Sequence, residues 1–87
     1  MLIAAVMLAV AAGTVQDLSS AELERYYWDC DTMFMRGEMG GQDLLTCLDV
    51  TDEFKRRVWN SDHDKFMQYW REMKRRQWQR RGYIPEN

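Results

Sequence analysis

Two cysteines, the only ones in this chain of 87 residues, flank a glycine-rich turn at nearly equal distances. Cys30 lies seven residues before Gly37, and Cys47 lies six residues after Gly41. If both flanks are helical, each cysteine stands about 10 Å from the turn, at about 1.5 Å of rise per residue. The two cysteines are then level in an antiparallel pair of helices, which is the arrangement that a disulfide requires. We therefore predict a Cys30–Cys47 disulfide.

A covalent bond at this position matters because so short a chain encloses a small core. Domains of this size commonly depend on a disulfide, a metal or a partner for stability. Closing a loop of this length contributes on the order of 3 kcal/mol to the free energy of unfolding. Disulfides also persist in oxidising compartments, which favours a location outside the cytoplasm. The alternative is a pair of reduced cysteines that pack as small apolar side chains in a cytoplasmic protein.

Helical periodicity predicts an all-α fold with three helices, at about residues 20–36, 43–59 and 62–81. Ser19 and Glu22 have the spacing of a capping box, and Gly37 is suited to end the first helix. Asn60 is suited to end the second helix, and Ser61 is the predicted cap of the third. Because the first connection is short, the first two helices form an antiparallel hairpin. A short strand through the sequence TCLDV is an alternative to part of the second helix.

The same periodicity predicts which side chains face the core. The predicted inner positions are Leu23, Tyr26, Tyr27, Cys30, Met33 and Phe34, then Leu44, Cys47, Leu48, Thr51, Phe54 and Val58, then Phe66, Tyr69, Trp70 and Met73. Trp28 and Trp78 lie off these stripes, which predicts that they are exposed unless a partner covers them. Gln77 falls where the third stripe would continue, and charged residues surround it. A helix that is polar all round has nothing to bury, so we predict a basic C-terminal overhang at about residues 74–83.

Residues 1–12 form an uncharged, apolar segment that precedes a polar chain. The segment is shorter than the roughly 20 residues that a membrane-spanning helix needs. Its length and the small residues at its end predict a signal peptide, which leaves residues 13–87 as a single small helical domain in the periplasm or outside the cell. The segment has no Lys or Arg before its apolar core. The alternative is therefore a buried N-terminal helix in a cytoplasmic protein.

Motifs that would indicate catalysis are missing from the sequence. The chain has two Cys and one His, which is too few for a typical four-ligand zinc site, and no C-x-x-C motif occurs. His63 lies between two acids and is interpreted as a solvated residue in the first turn of a helix. We therefore predict no enzyme activity, no cofactor and no metal site. An alternative is a periplasmic protein that handles Cu(I) with Met33, Met35 and Met39, because thioether ligands select that ion.

Charge is strongly segregated along the chain. Residues 17–53 contain ten acids and two arginines, whereas residues 54–87 contain ten basic residues and four acids. The predicted partner-binding residues lie in the basic part: Lys74, Arg75, Arg76, Trp78, Arg80, Arg81 and Tyr83. A structural alternative is that these cations complement the helix dipole and the acidic first helix. Nucleic acid is the least favoured partner, because the acidic half would repel a polyanion.

Together these features predict a small exported protein whose work is binding. The expected ligand is another protein or an anionic envelope surface, because basic and aromatic side chains are common at such contacts.

Overall fold

The computed structural model describes residues 15–83, and that range folds into three helices. They are α1 (Ser20–Met35), α2 (Gly41–Trp59) and α3 (His63–Arg80), preceded by a short 3-10 helix (Val15–Asp17). Within that range no residue is in a strand, so the predicted all-α fold is confirmed and the strand alternative at TCLDV is wrong. None of the three helices is long and apolar enough to cross a bilayer. The predicted signal peptide, residues 1–12, lies outside the described residues.

The first helix begins and ends as its sequence predicts. The Ser19 side chain accepts a hydrogen bond from the Glu22 amide at 3.1 Å, and the Glu22 carboxylate accepts one from the Ser19 amide at 2.8 Å. At the other end Gly37 adopts a left-handed conformation, with φ of 70°. This conformation is accessible to glycine without a steric penalty, so the chain turns here towards α2.

The boundaries of the other two helices differ from the prediction by one or two residues. Helix α2 begins at Gly41 rather than at Asp43. Asn60 takes the predicted left-handed conformation, but Ser61 also has a positive φ, of 58°, and cannot serve as a cap. Asp62 caps α3 instead, with its side chain accepting a hydrogen bond from the Lys65 amide at 3.1 Å.

Aromatic rings from all three helices form the core. The Tyr27 ring stacks on Phe54 with 5.1 Å between centroids and meets the edge of Phe66 at 5.4 Å. Trp28 is fully buried, at 0 % exposure, and donates a hydrogen bond from its indole nitrogen to the Tyr69 hydroxyl at 2.7 Å. The prediction that Trp28 is exposed is therefore wrong. Its position, one residue off the first stripe, faces α3 rather than solvent.

Several predicted core positions on the hairpin are exposed instead. They are Phe34, Leu44, Leu48 and Val58. Cys47, Val50 and Phe54 form the buried face of α2. The apolar sector of α2 is thus wider than the surface that α1 and α3 cover, and part of it faces solvent.

The disulfide joins α1 to α2 as predicted. The Cα atoms of Cys30 and Cys47 are 5.6 Å apart, and both residues are buried. This separation lies within the range that an unstrained disulfide spans. The bond therefore lies inside the hairpin core, beside the aromatic cluster.

Hydrogen bonds from Arg57 hold the segment before α1 against the end of α2. Arg57 donates from its guanidinium group to the Leu18 carbonyl and, at 3.0 Å, to the Gln16 carbonyl. The buried carboxylate of Glu53 accepts from Arg57 at 2.7 Å and from Arg56 at 2.5 Å. The hydrogen bonds from Arg56 lower the pKa of the Glu53 carboxyl below its ordinary value. Glu53 thus orients the arginine that holds the N-terminal turn.

Reduction of the disulfide is expected to lower the free energy of unfolding by about 3 kcal/mol, because the unfolded chain regains the entropy of an open loop. Urea titration with and without reductant measures the difference. A C30A/C47A variant is the control and should unfold at one midpoint under both conditions. Coincident midpoints for the wild-type protein would show that the bond contributes nothing.

The variant E53Q is expected to lower the free energy of unfolding by about 1–2 kcal/mol at neutral pH, because two guanidinium groups lose their charged acceptor. A depressed carboxyl pKa stabilises the fold above the unfolded value of about 4.3 and loses this effect as the pH falls through the folded value. The difference between wild type and E53Q should therefore shrink below about pH 4. Thermal melts across pH measure it, and a gap that is constant with pH would contradict this role.

Candidate functional site

The structure divides the predicted partner-binding residues of α3 into two groups. Lys74, Trp78, Arg81 and Tyr83 are partly buried against other side chains. Arg75, Arg76 and Arg80 are exposed. The two groups have different physical roles.

Trp78 lies against α1 because Asp31 accepts its indole hydrogen. The Trp78 indole nitrogen is 2.8 Å from one carboxylate oxygen of Asp31, and the Trp70 indole nitrogen is 3.1 Å from the other. Burial raises the pKa of the Asp31 carboxyl above its ordinary value, although the two indole hydrogen bonds act in the opposite direction. A single acid on α1 therefore positions two tryptophans of α3.

Lys74 completes this cluster from the solvent side. Its ammonium nitrogen lies 4.4 Å from the centroid of the Trp70 ring and 5.8 Å from that of Trp78. A cation over an indole face is attracted by the electron density of the ring. The Lys74 ammonium group thus interacts with the two indole rings and with the nearby Asp31 carboxylate.

The last turn of α3 is bonded to α1 by Arg81 and Tyr83. The Arg81 guanidinium group forms an ion pair with Asp29 at 3.1 Å and donates to the Arg25 carbonyl at 3.3 Å. The Tyr83 hydroxyl donates to the Met35 carbonyl at 3.2 Å. These contacts lie along α1 from Arg25 to Met35. They account for the position of the chain as far as Tyr83.

The predicted overhang at residues 74–83 is therefore corrected. Gln77 is buried and accepts a hydrogen bond from Arg81 through its side-chain oxygen. The prediction assumed that only apolar side chains hold a helix against its neighbours. In this segment Trp78 and Arg81 bury their stems and place their polar atoms on acids and carbonyls of α1, and the Gln77 oxygen accepts from Arg81. The sequence signal that was missed is the presence of two acids on α1, at positions 29 and 31, that can accept hydrogen bonds from aromatic and basic side chains of α3.

The second group is exposed to solvent on α3. Arg71, Arg76 and Arg80 have no carboxylate within ion-pair distance among residues 15–83. Arg76 contacts the Met73 sulfur at 3.9 Å, and Arg75 is also exposed. Arg71 was not among the predicted binding residues, because it precedes the predicted overhang at about residues 74–83. The exposed arginines span about 14 Å along α3 at 1.5 Å of rise per residue, and about half of its circumference at 3.6 residues per turn. Arg80 borders a groove against α1. Together, Arg71, Arg75, Arg76 and Arg80 are called the arginine strip.

Two methionines of the copper alternative line different grooves. Met33 lines a groove with Asp29 and Arg36, whereas Met39 lines a different groove beside the disulfide. Met35 is exposed and lines neither of these two grooves. Convergence of the three thioethers on one ion would require this end of α1 to unwind.

His63 is the first residue of α3 and is exposed, as the interpretation of a solvated first-turn residue requires.

Comparison with known proteins finds no relative of this chain. No protein-family model, no curated protein and no solved structure matches the chain.

Two adjacent arginines provide a direct test of the division described above. The variant R81Q is expected to lower the free energy of unfolding by about 1 kcal/mol, because Asp29 and the Arg25 carbonyl lose their donor. The variant R80Q removes the same charge from a side chain without these contacts and should change stability by less than about 0.5 kcal/mol. Urea titration measures both. Equal effects of the two substitutions would show that net charge, not the specific contacts, holds the end of α3.

Proposed function

We propose that this protein is a small exported accessory protein that binds an acidic surface of a partner protein. The contact would be made by the exposed residues Arg71, Arg76 and Arg80 of α3, with Arg75 between them in the sequence. Its work is binding rather than catalysis.

The observation that carries this proposal is the exposure of four arginines on α3, of which Arg71, Arg76 and Arg80 form no ion pair with a carboxylate within residues 15–83. The guanidinium group is planar and donates to a carboxylate through two parallel hydrogen bonds, so arginine is suited to contacts with acidic side chains. Trp78 and Arg81 bind α3 to α1, and Lys74 packs on the Trp70 ring. These contacts hold the strip in a defined position. A rigid helix presents such groups at a lower entropic cost than a flexible segment does.

A protein partner is favoured over a membrane surface by the positions of the aromatic rings. Membrane-surface helices place Trp and Tyr side chains at the level of the headgroups. Here Trp70 and Trp78 donate to Asp31, and Tyr83 donates to α1, so their polar atoms are committed to the protein. The outer side of α3 is left with arginines but without aromatic anchors.

Export is supported by two independent features. The apolar segment at residues 1–12 has the length of a signal peptide, and the disulfide suits an oxidising compartment. The proposed location is the periplasm or the exterior of the cell. N-terminal sequencing of the protein recovered from that fraction tests this part, since a chain that retains Met1 and stays in the cytoplasm would contradict it.

The binding surface is tested with the triple variant R71Q/R76Q/R80Q. We expect the melting temperature to change little, because these side chains form no ion pair within residues 15–83. We expect the affinity for the partner to fall by about tenfold or more, because charge-assisted hydrogen bonds are lost. Quantitative cross-linking in the producing cells identifies the partner, and titration of the purified pair gives the affinity.

The matched variant R71K/R76K/R80K retains the charge and removes the planar guanidinium groups. Partial retention of affinity in this variant would support a contact that combines charge with bidentate geometry. Unchanged affinity in the glutamine variant would overturn the proposal. Co-sedimentation with vesicles of phosphatidylglycerol, abolished in the same variant, would assign the strip to a membrane surface instead.

A further inference from the structure

An apolar groove lies between α1 and α2, next to the disulfide. Its volume is about 230 Å³, and its base includes the buried Cys30 and Cys47. Phe34, Leu44 and Leu48 line it from the sides of the two helices, and Met39 lies at its end near the turn. None of the exposed arginines of α3 lines this groove. It is therefore a surface separate from the one proposed above.

The side chains that line the groove are unusually exposed for their type. Phe34 is 65 % exposed, Leu48 is 51 % exposed and Leu44 is 42 % exposed. Grouped apolar side chains at a surface commonly mark a site that a partner covers. Leu45, at 58 % exposure, extends the patch along the outer side of α2. These residues form the groove patch: Phe34, Leu44, Leu45 and Leu48.

The dimensions of the groove favour side chains of a protein segment over a small molecule. Small-molecule pockets commonly have volumes of about 300–1,000 Å³ and enclose most of the ligand, whereas this groove is smaller. Leu44 and Leu48 are one helical turn apart, and the groove continues to Thr51, so it extends about 10 Å along α2. Amphipathic helices bind such grooves with apolar residues spaced by three or four positions.

The charge around the groove selects the kind of helix. No Lys or Arg occurs between Arg36 and Lys55, whereas five acids do: Glu38, Asp43, Asp49, Asp52 and Glu53. Asp49 lies one turn after Leu45 and is exposed, and Asp52 lies one turn after Leu48 and is also exposed. An apolar groove with acidic neighbours complements an apolar stripe with Lys or Arg at its edges.

From these observations we infer that the groove binds a basic amphipathic helix of a partner protein. The apolar residues of that helix contact the groove patch, and its cations face Asp49 and Asp52. This contact is independent of the arginine strip on α3, so either surface can be lost without the other. The protein then has two binding surfaces of opposite charge.

A synthetic peptide serves as the probe, with about 14 residues, or roughly four helical turns. It contains leucines at every third or fourth position and lysines elsewhere. A second peptide has the same composition with its leucines scrambled around the helix, and a third has glutamate in place of lysine. Isothermal titration calorimetry with the oxidised protein is expected to show saturable binding of the first peptide alone.

The double variant L44Q/L48Q locates the binding site without changing the net charge. We expect its affinity for the first peptide to fall by about tenfold, because two apolar contacts are lost. The matched variant V58Q replaces an apolar residue of similar exposure on the same helix, outside the groove, and should bind normally. The R71Q/R76Q/R80Q variant should also bind this peptide normally, which separates the groove from the arginine strip.

Four results of the titrations would overturn the inference. They are no saturable binding, equal binding of the scrambled peptide, equal binding of the glutamate peptide, and unchanged affinity in L44Q/L48Q. Sedimentation analysis tests whether a second copy of this chain occupies the groove. A concentration-dependent dimer that L44Q/L48Q abolishes would assign the groove to a second copy of this chain, which also overturns it.

Discussion

The disulfide between Cys30 and Cys47 is the constraint on which the rest of the structure depends. It fixes the alignment of α1 and α2 along their axes, so that Tyr27 and Phe54 stack at the centre of a very small core. A chain of this length buries little apolar surface, and the restriction of the unfolded state offsets part of that deficit. Both candidate surfaces follow from this hairpin. One side of α1 receives α3, and the cleft between α1 and α2 near the turn remains open as the groove.

Polar contacts add to apolar packing in holding the second half of α3 to α1. The Asp31 carboxylate accepts two indole hydrogens, and the Asp29 carboxylate accepts the Arg81 guanidinium group. Buried polar groups are stable only when their partners are present, so this contact specifies the position of α3 more narrowly than a leucine interface would. The basic residues of α3 consequently serve two purposes. Arg81 secures the helix to α1, and the exposed arginines are the proposed binding residues.

The two surfaces carry opposite charge because acids and bases occupy different parts of the chain. The strip on α3 presents guanidinium groups without aromatic anchors, which suits an acidic protein surface. The groove presents leucine and phenylalanine beside Asp49 and Asp52, which suits a basic amphipathic helix. Their separation would allow one small protein to contact two partners, or two parts of one partner. Export to an oxidising compartment, if the apolar segment at residues 1–12 directs it, would preserve the bond that supports both.

The sequence by itself determined the helices and the covalent link between two of them. Caps at Ser19 and Gly37, periodic apolar positions and the equal distances of Cys30 and Cys47 from the turn are local features, and local hydrogen bonding and helical rise are sufficient to interpret them. The tertiary structure alone decided which faces are covered. Trp28 is buried and Leu48 exposed, although periodicity predicts the reverse, because the side of the hairpin that α3 crosses depends on its contacts with Asp31 and Asp29. Those contacts join residues about 40 to 50 positions apart, and helical spacing holds no information at that distance.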